Sequence, residues 1–225
     1  MLSSGIEVIA SGRNMERLLE GLLVSSRIAF TAVIISCIAG VIFGLIMNSR
    51  SQTVRVLCRI YLETVRIIPI LVWLFLFHFG VPKLLDIHIE AEISAIIVFS
   101  IWGTAEMGDL VRGAVQSLPK HQMESAKAIG LSTFKCYYYV LIPQAVRRIV
   151  PAAMNLVTRM IKTTSLVVLI GVVEVVKVGQ QIIEASILNN PLASFWVYAL
   201  IFMMYFIVCY PISLLSKRLE MRWEK

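Results

Sequence analysis

The residues able to do chemistry in this sequence lie inside its most apolar stretches. Glu106 and Asp109 interrupt the run 92–112, and Arg159 and Lys162 interrupt the run 149–173. On a helix, Asn155, Arg159 and Lys162 fall on one face, and Glu106 and Asp109 share another. At 1.5 Å per residue, Arg159 stands about 15 Å from a helix start at Ile149, near the middle of a bilayer. An unpaired charge at that depth costs about 3 kcal/mol or more, so the economical arrangement pairs Glu106 or Asp109 with Arg159. Catalytic chemistry finds no comparable support. His78, His88 and His121 are scattered without ligand spacing, so no metal site is expected. Cys37, Cys58, Cys136 and Cys209 are isolated, with no CxxC, and read as small apolar residues inside helices. There is no convergent nucleophile or acid–base pair and no glycine-rich GKS or GKT loop. No catalytic residue is assigned, and no cofactor is expected on this chain.

The elements that position these charges follow from composition. The 225 residues are 58% hydrophobic and 16% charged. That apolar excess exceeds what one soluble core of this length hides. Two runs are free of charge and long enough to span a bilayer, 28–47 and 192–215. Three more, at 60–80, 92–112 and 149–173, carry charges and belong inside a bundle, while the uncharged pair faces lipid. The prediction is therefore an all-α membrane protein with five spanning helices. Met15, Leu18, Leu19, Leu22 and Leu23 recur at helical spacing before the first run, which places that segment along the outer membrane surface. The net charge of +7 sits in alternating loops. Residues 48–59 hold Arg50, Arg55 and Arg59 with no acid, 113–148 hold five lysines and arginines against Glu124, and the tail from 216 is basic. The intervening loops, 81–92 and 174–191, are acidic. The positive-inside rule then puts the N-terminus outside and the C-terminus in the cytoplasm. No basic-aromatic motif accompanies the charge, so no nucleic acid partner is expected.

The longest predicted cytoplasmic loop contains ESAKAIGLSTFKCYYYVLIP, residues 124–143. Ser117 and Pro119 signal a helix start, Gly130 a stop, and Ser132 a second start before Pro143. Helix, glycine break, helix is the expectation, an apolar knob with a carboxylate at its base. This segment resembles the cytoplasmic EAA loop of bacterial ABC importer permeases. Glu124, Ser125, Ala126 and Gly130 align with that signature, followed without a gap by Val140, Ile142 and Pro143. GDLVRGAVQSLPKHQMESAKAIGLS, IPQAVRRIVPAAMN, IKTTSLVVLIGVVEVVKVGQQ and YLETVRIIPILVWLFLFHFGVP resemble the branch that serves polar amino acids, over about residues 21–215.

What the resemblance implies is an ABC type I importer permease fold. It forms a single transmembrane permease domain over 1–225, with a core at 21–215 and a coupling loop at 117–143. Two permease subunits, as homodimer or heterodimer, pair in the bacterial inner membrane, embedded in membrane lipid. Each inserts its loop into a cytoplasmic ATPase subunit, which binds ATP and Mg, and an extracytoplasmic solute-binding protein delivers the amino acid. Glu124 would bond a basic group on the ATPase and Gly130 would allow the turn. Glu106, Asp109, Asn155, Arg159, Lys162, Thr163 and Ser165 become candidates for the substrate pathway, with carboxylates suiting an ammonium and the cations a carboxyl group. The chain departs from the branch where relatives read Arg-Gly-Thr-Pro and it has Arg66, Ile67, Ile68 and Pro69. It departs again at Thr163, where relatives read Lys-Asp-Thr-Ser, and at Glu106, where an aromatic is common. A methionine-type or other five-helix permease is the alternative within the class, and a small membrane enzyme the alternative outside it.

Overall fold

The computed structural model describes residues 3–223, with side chains over 7–119 and 121–223. The described residues are helical, without strands. Helix α1 is Ser3–Ala10, α2 is Asn14–Met47, and α3 is Gln52–Ile67. Helix α4 is Ile70–Phe75, prolonged by a wider π turn, Leu76–Gly80, into α5, Val81–Leu85. Then come α6, Ala91–Gln116, the short α7, Lys120–Ala128, and α8, Thr133–Cys136. A second π turn, Tyr137–Leu141, joins α8 to α9, Ile142–Thr163, which tightens into a 3-10 stretch, Thr164–Ile170. Helices α10, Val175–Ser186, and α11, Ala193–Trp223, complete the chain.

Four of these helical stretches are long and apolar enough to cross a membrane: Asn14–Met47, Ala91–Gln116, Thr133–Ile170 and Ala193–Trp223. A fifth span is the pair Gln52–Ile67 and Ile70–Leu85, bent by 97°. The bend has a local cause. Pro69 offers no N–H and forces the residue before it out of helical geometry, and Ile68 is extended at φ −76°, ψ 125°. The segment 14–23 does not lie separately along the membrane surface as expected. It continues unbroken into the first apolar run as part of one 34-residue helix. The expectation that the two uncharged spans face lipid agrees with burial. The first and last spans bury 28% and 22% of their most apolar window, against 56% for Ala91–Gln116. On α2, Ile34, Ile38, Val41, Ile42 and Leu45 form an exposed apolar stripe, and on α11 Phe195, Tyr198, Phe202, Phe206 and Tyr210 form another.

The helices are shared out between two compact units of interleaved segments. One comprises 1–33, 69–99 and 159–211. Its core gathers Leu18, Val175, Val178, Ile182, Val197 and Ile201. Glu174 is wholly buried there, capping α10 by accepting from the N–H groups of Val176 at 2.9 Å and Lys177 at 3.0 Å. Ser25 donates to its other oxygen at 3.1 Å. The second unit comprises 34–68, 100–158 and 212–225. Its core is Met107, Val111 and Leu156 with Cys37, Trp102 and Ile149 against them. Here α2 and α6 approach closely because neither has a side chain in the way. A Cβ on Gly40 would lie 2.5 Å from Met107 Cβ, and one on Gly44 would lie 2.6 Å from the Gly108 carbonyl oxygen. Phe43 packs edge-on to Tyr61 at 4.9 Å, and the Tyr61 hydroxyl donates to the Ile101 carbonyl at 2.7 Å, tying α3 to α6.

Candidate functional site: a projecting loop and a charged seam

The loop between α6 and α9 forms as its turn signals predict. Pro119 is extended at φ −63°, ψ 132° and starts α7, whose last turn closes on glycine. The Leu131 N–H donates to the Ala126 carbonyl at 3.1 Å, and the Gly130 N–H to the Lys127 carbonyl at 2.9 Å. That pair of bonds requires a left-handed residue, and Gly130 supplies it at φ 84°. Ser132 then accepts from the Lys135 N–H at 3.4 Å to start α8. Along this element Glu124, Ser125 and Gly130 are exposed while Ala126 is buried. Val140 is half-buried, and Ile142 and Pro143 are exposed. Ile129 at 79%, Phe134 at 76%, Tyr138 and Tyr139 make an apolar surface on the same projection. Its root is braced. Gln144 of α9 donates to Gln122 of α7 at 3.3 Å, and Arg148 donates to the Ser117 carbonyl at 2.9 Å. The result is a small projection whose free faces carry one carboxylate and several large apolar side chains.

Deeper in the same unit lies a seam of four charges. Arg66, in the last turn of α3, donates to Glu106 at 2.9 Å and to Asp109 at 2.9 Å. Arg112 reaches the other Asp109 oxygen at 2.5 Å. Two acids and two arginines balance. The Glu106 side chain is only 11% exposed and the Arg66 side chain 39%, so the seam runs from the helix interior toward the surface. The helix break at Pro69 ends α3 one residue after Arg66 is set opposite α6, and a cation suits that C-terminal end. The sequence placed Glu106 and Asp109 on one face and proposed Arg159 as their cation. Within this unit they also meet Arg66, noted from the sequence only as a departure from a family pattern. The signal available was spacing. Arg66 and Glu63 are the charges of the 60–80 run, and a carboxylate pair in the next span needed a cation close by.

The remaining pathway candidates lie along α9 and the turn after it. Asn155, Arg159 and Lys162 are each exposed. Thr163 donates its hydroxyl to the Arg159 carbonyl at 2.8 Å, and Ser165 donates to the Lys162 carbonyl at 2.9 Å. Their protons are therefore committed to their own helix, leaving oxygen lone pairs as what they offer. A cavity of about 870 Å³ in the second unit is lined by Gln144, Arg147, Arg148, Asn155, Glu220 and Trp223, among others. No cluster of three or more metal-ligating side chains occurs among the described residues.

Comparison with known proteins adds an independent line. The family described as "binding-protein-dependent transport system inner membrane component" matches residues 40–225. A probable glutamine ABC transporter permease protein of Bacillus subtilis is 31% identical over 216 residues, covering 94% of this chain and 96% of that protein. A glutamate transport system permease protein of Corynebacterium glutamicum is 31% identical over 206 residues, covering 90% and 73%. Among solved structures, that of an amino acid ABC transporter with histidines superposes with a TM-score of 0.82 at 25% identity, over 92% of this chain and 94% of that one. The inward-facing MetNI methionine ABC transporter superposes with a TM-score of 0.71 at 16% identity, over 95% and 99%, a likeness of fold.

Proposed function

Because this chain belongs to the family of inner membrane components of binding-protein-dependent transport systems, we propose that it forms half of the translocation pathway of an ATP-driven importer for polar amino acids. The relatives named for glutamine and glutamate support that cargo class over a methionine-type one, since the methionine transporter shares the fold at far lower identity. A second permease subunit completes the pathway, and a binding protein outside the membrane supplies the amino acid. ATP and Mg belong to a cytoplasmic partner subunit. What this chain contributes is a grip and a gate. Catalysis of any bond-breaking step lies with the partner.

The observation that carries the reading is the projection at 120–143. Its helix is too short to stand alone, yet it is held by a glycine turn and braced to α9 by Gln122–Gln144 and Arg148–Ser117. An exposed carboxylate, Glu124, and exposed Ile129 and Phe134 suit a groove with a basic group and an apolar wall. Since α9 continues directly from the projection into a span, a push on α7 is delivered to the helix bearing Asn155, Arg159 and Lys162. The cations Arg159 and Lys162 suit the carboxyl group of an amino acid in transit. The positive-inside pattern puts this projection in the cytoplasm, with the N-terminus outside.

Uptake of a panel of radiolabelled amino acids into vesicles holding the complete transporter tests the proposal. Glu124→Arg is expected to abolish ATP-driven uptake and to release the ATPase subunit during purification, through like-charge repulsion at the grip. Full uptake with that variant, or absence of any ATP-dependent amino-acid accumulation by the wild type, would overturn it.

A further inference from the structure

A second cavity in the same unit, of about 470 Å³, opens where α2 ends and α3 begins. Arg55, Arg59, Arg66 and Arg112 line it, with Glu63 and Asp109. Two of the four arginines are spoken for, because Arg66 and Arg112 are held by Glu106 and Asp109 in the neutral seam. The other two are held less firmly by carboxylates. Arg59 approaches Glu63 only to 3.9 Å, at the outer limit of an ion pair, and its side chain is 80% exposed. Arg55 donates from one terminal nitrogen to the carbonyls of Ser49 at 3.0 Å and Arg50 at 2.9 Å, with no carboxylate in ion-pair contact among the described residues. Those two bonds fix the guanidinium in place and leave its other donors for an anion. The cavity rim is therefore a preset cationic fork, with Arg50 exposed nearby.

The surroundings indicate what kind of anion. Met47 is the last residue of α2, so the rim sits at the end of a membrane-spanning helix. On either side the surface is apolar and uncovered: Leu45 and Ile46 on α2, and Val56, Leu57 and Ile60 on α3, are each exposed. A soluble anion would use the arginines and ignore that surface. A molecule carrying a phosphate on two acyl chains uses both. We propose that this cavity holds the phosphate headgroup of an anionic phospholipid, with Arg55 and Arg59 as its ligands and the adjoining apolar faces of α2 and α3 as the seat of its chains. The bound lipid offsets one of the three positive charges in the loop of the chain that carries three arginines and no acid. It pins the start of α3, whose last turn presents Arg66 to α6.

Native mass spectrometry of the complete transporter, released from detergent with added dioleoyl-phosphatidylglycerol, dioleoyl-phosphatidylcholine or inorganic phosphate, reads this directly. The wild type is expected to retain phosphatidylglycerol selectively. Removing an arginine should weaken retention about fivefold, so R55Q/R59Q should lose roughly 25-fold. R55K/R59K keeps the charge without the fork and should lose a few-fold. R13Q, at an exposed arginine of the other unit, should lose nothing. Unchanged retention in R55Q/R59Q overturns the assignment, as does equal retention of phosphatidylcholine. Displacement of the lipid by millimolar inorganic phosphate would mark the cavity as a site for soluble anions and overturn it too. If the glutamine variant does not assemble, R55K/R59K decides alone, since unchanged retention there also overturns it.

Discussion

The seam of Arg66, Glu106, Asp109 and Arg112 is worth most as a set. With Arg66 removed, Arg112, on Asp109, is the one arginine of the seam left for two carboxylates, one of them nearly buried. For a fully buried pair that loss runs to about 3–5 kcal/mol. Because the Arg66 side chain is 39% exposed, solvent screening reduces the expectation to about 1–2 kcal/mol. Arg66→Met should lower the unfolding midpoint of the purified protein, and R66M/E106Q/D109N should recover most of the loss. Equal destabilisation by both would show that shape rather than charge holds the seam. Glu174 makes stability depend on pH. It sits in the connection between two spans, and burial pushes its carboxyl above the ordinary glutamate value. The N–H groups of Val176 and Lys177, the Ser25 hydroxyl and the neighbouring Tyr205 hydroxyl pull it partly back. With the folded value raised, the native state binds the proton more tightly than the unfolded chain. Its stabilising contribution is full below the ordinary value and is lost as pH rises through the raised one. Over that window the wild type should lose stability with rising pH more steeply than Glu174→Gln. Parallel curves would remove Glu174 as the titrating group. The carboxylate face of the seam was legible in the sequence, while Arg66 as its partner and the role of Glu174 were not. Glu174 reads there as one of the acids of an outer loop, and only the fold shows it capping α10 from inside a core.

At the scale of elements, what was legible depended on local cause. The loop at 117–143 could be read because each boundary has its own residue: Pro119, Gly130, Ser132. The close approach of α2 to α6 was half legible, since Gly40 and Gly44 mark a face for close contact while nothing in the sequence says which helix it meets. The structure answers with Gly108 and makes a paired prediction. Gly44→Val sets a Cβ 2.6 Å from a backbone oxygen, which cannot step aside. Overpacking of this kind costs about 1–3 kcal/mol. Gly113 lies on the same helix α6, and a methyl group added there would meet nothing within 4 Å. Gly113→Ala should therefore gain about 0.5–1 kcal/mol from restricted backbone freedom. Thermal unfolding of the two variants in one detergent checks the opposite signs. The 97° break was not foreseen. A proline inside a span predicts a disturbance, but its angle is set by the partners each half finds. Here the first half is fixed by Tyr61 and Arg66 against α6.

For the molecule as a whole, the proposed orientation in the bilayer rests on charge rather than on contacts. The first apolar run, 28–47, is preceded by Glu7, Arg13, Glu16, Arg17, Glu20 and Arg27, three of each sign, and followed by Arg50, Arg55 and Arg59 with no acid. Arginine and lysine near a short loop resist translocation, while balanced charge is nearly indifferent. Each later loop alternates in the same sense, ending with Lys217, Arg218 and Arg222 on α11. On the proposed orientation, the projection at 120–143 and the arginine-lined cavity share one side of the membrane, the side proposed for the ATPase partner and an anionic leaflet. The expectation is that a fluorescent protein fused after Lys225 folds and glows in the cytoplasm, while an alkaline phosphatase fused there stays inactive. An active phosphatase fusion would turn the chain over and expose Glu124 to the outside. No cytoplasmic ATPase could then grip it, so this measurement bears on the proposed coupling as directly as any substitution in the loop.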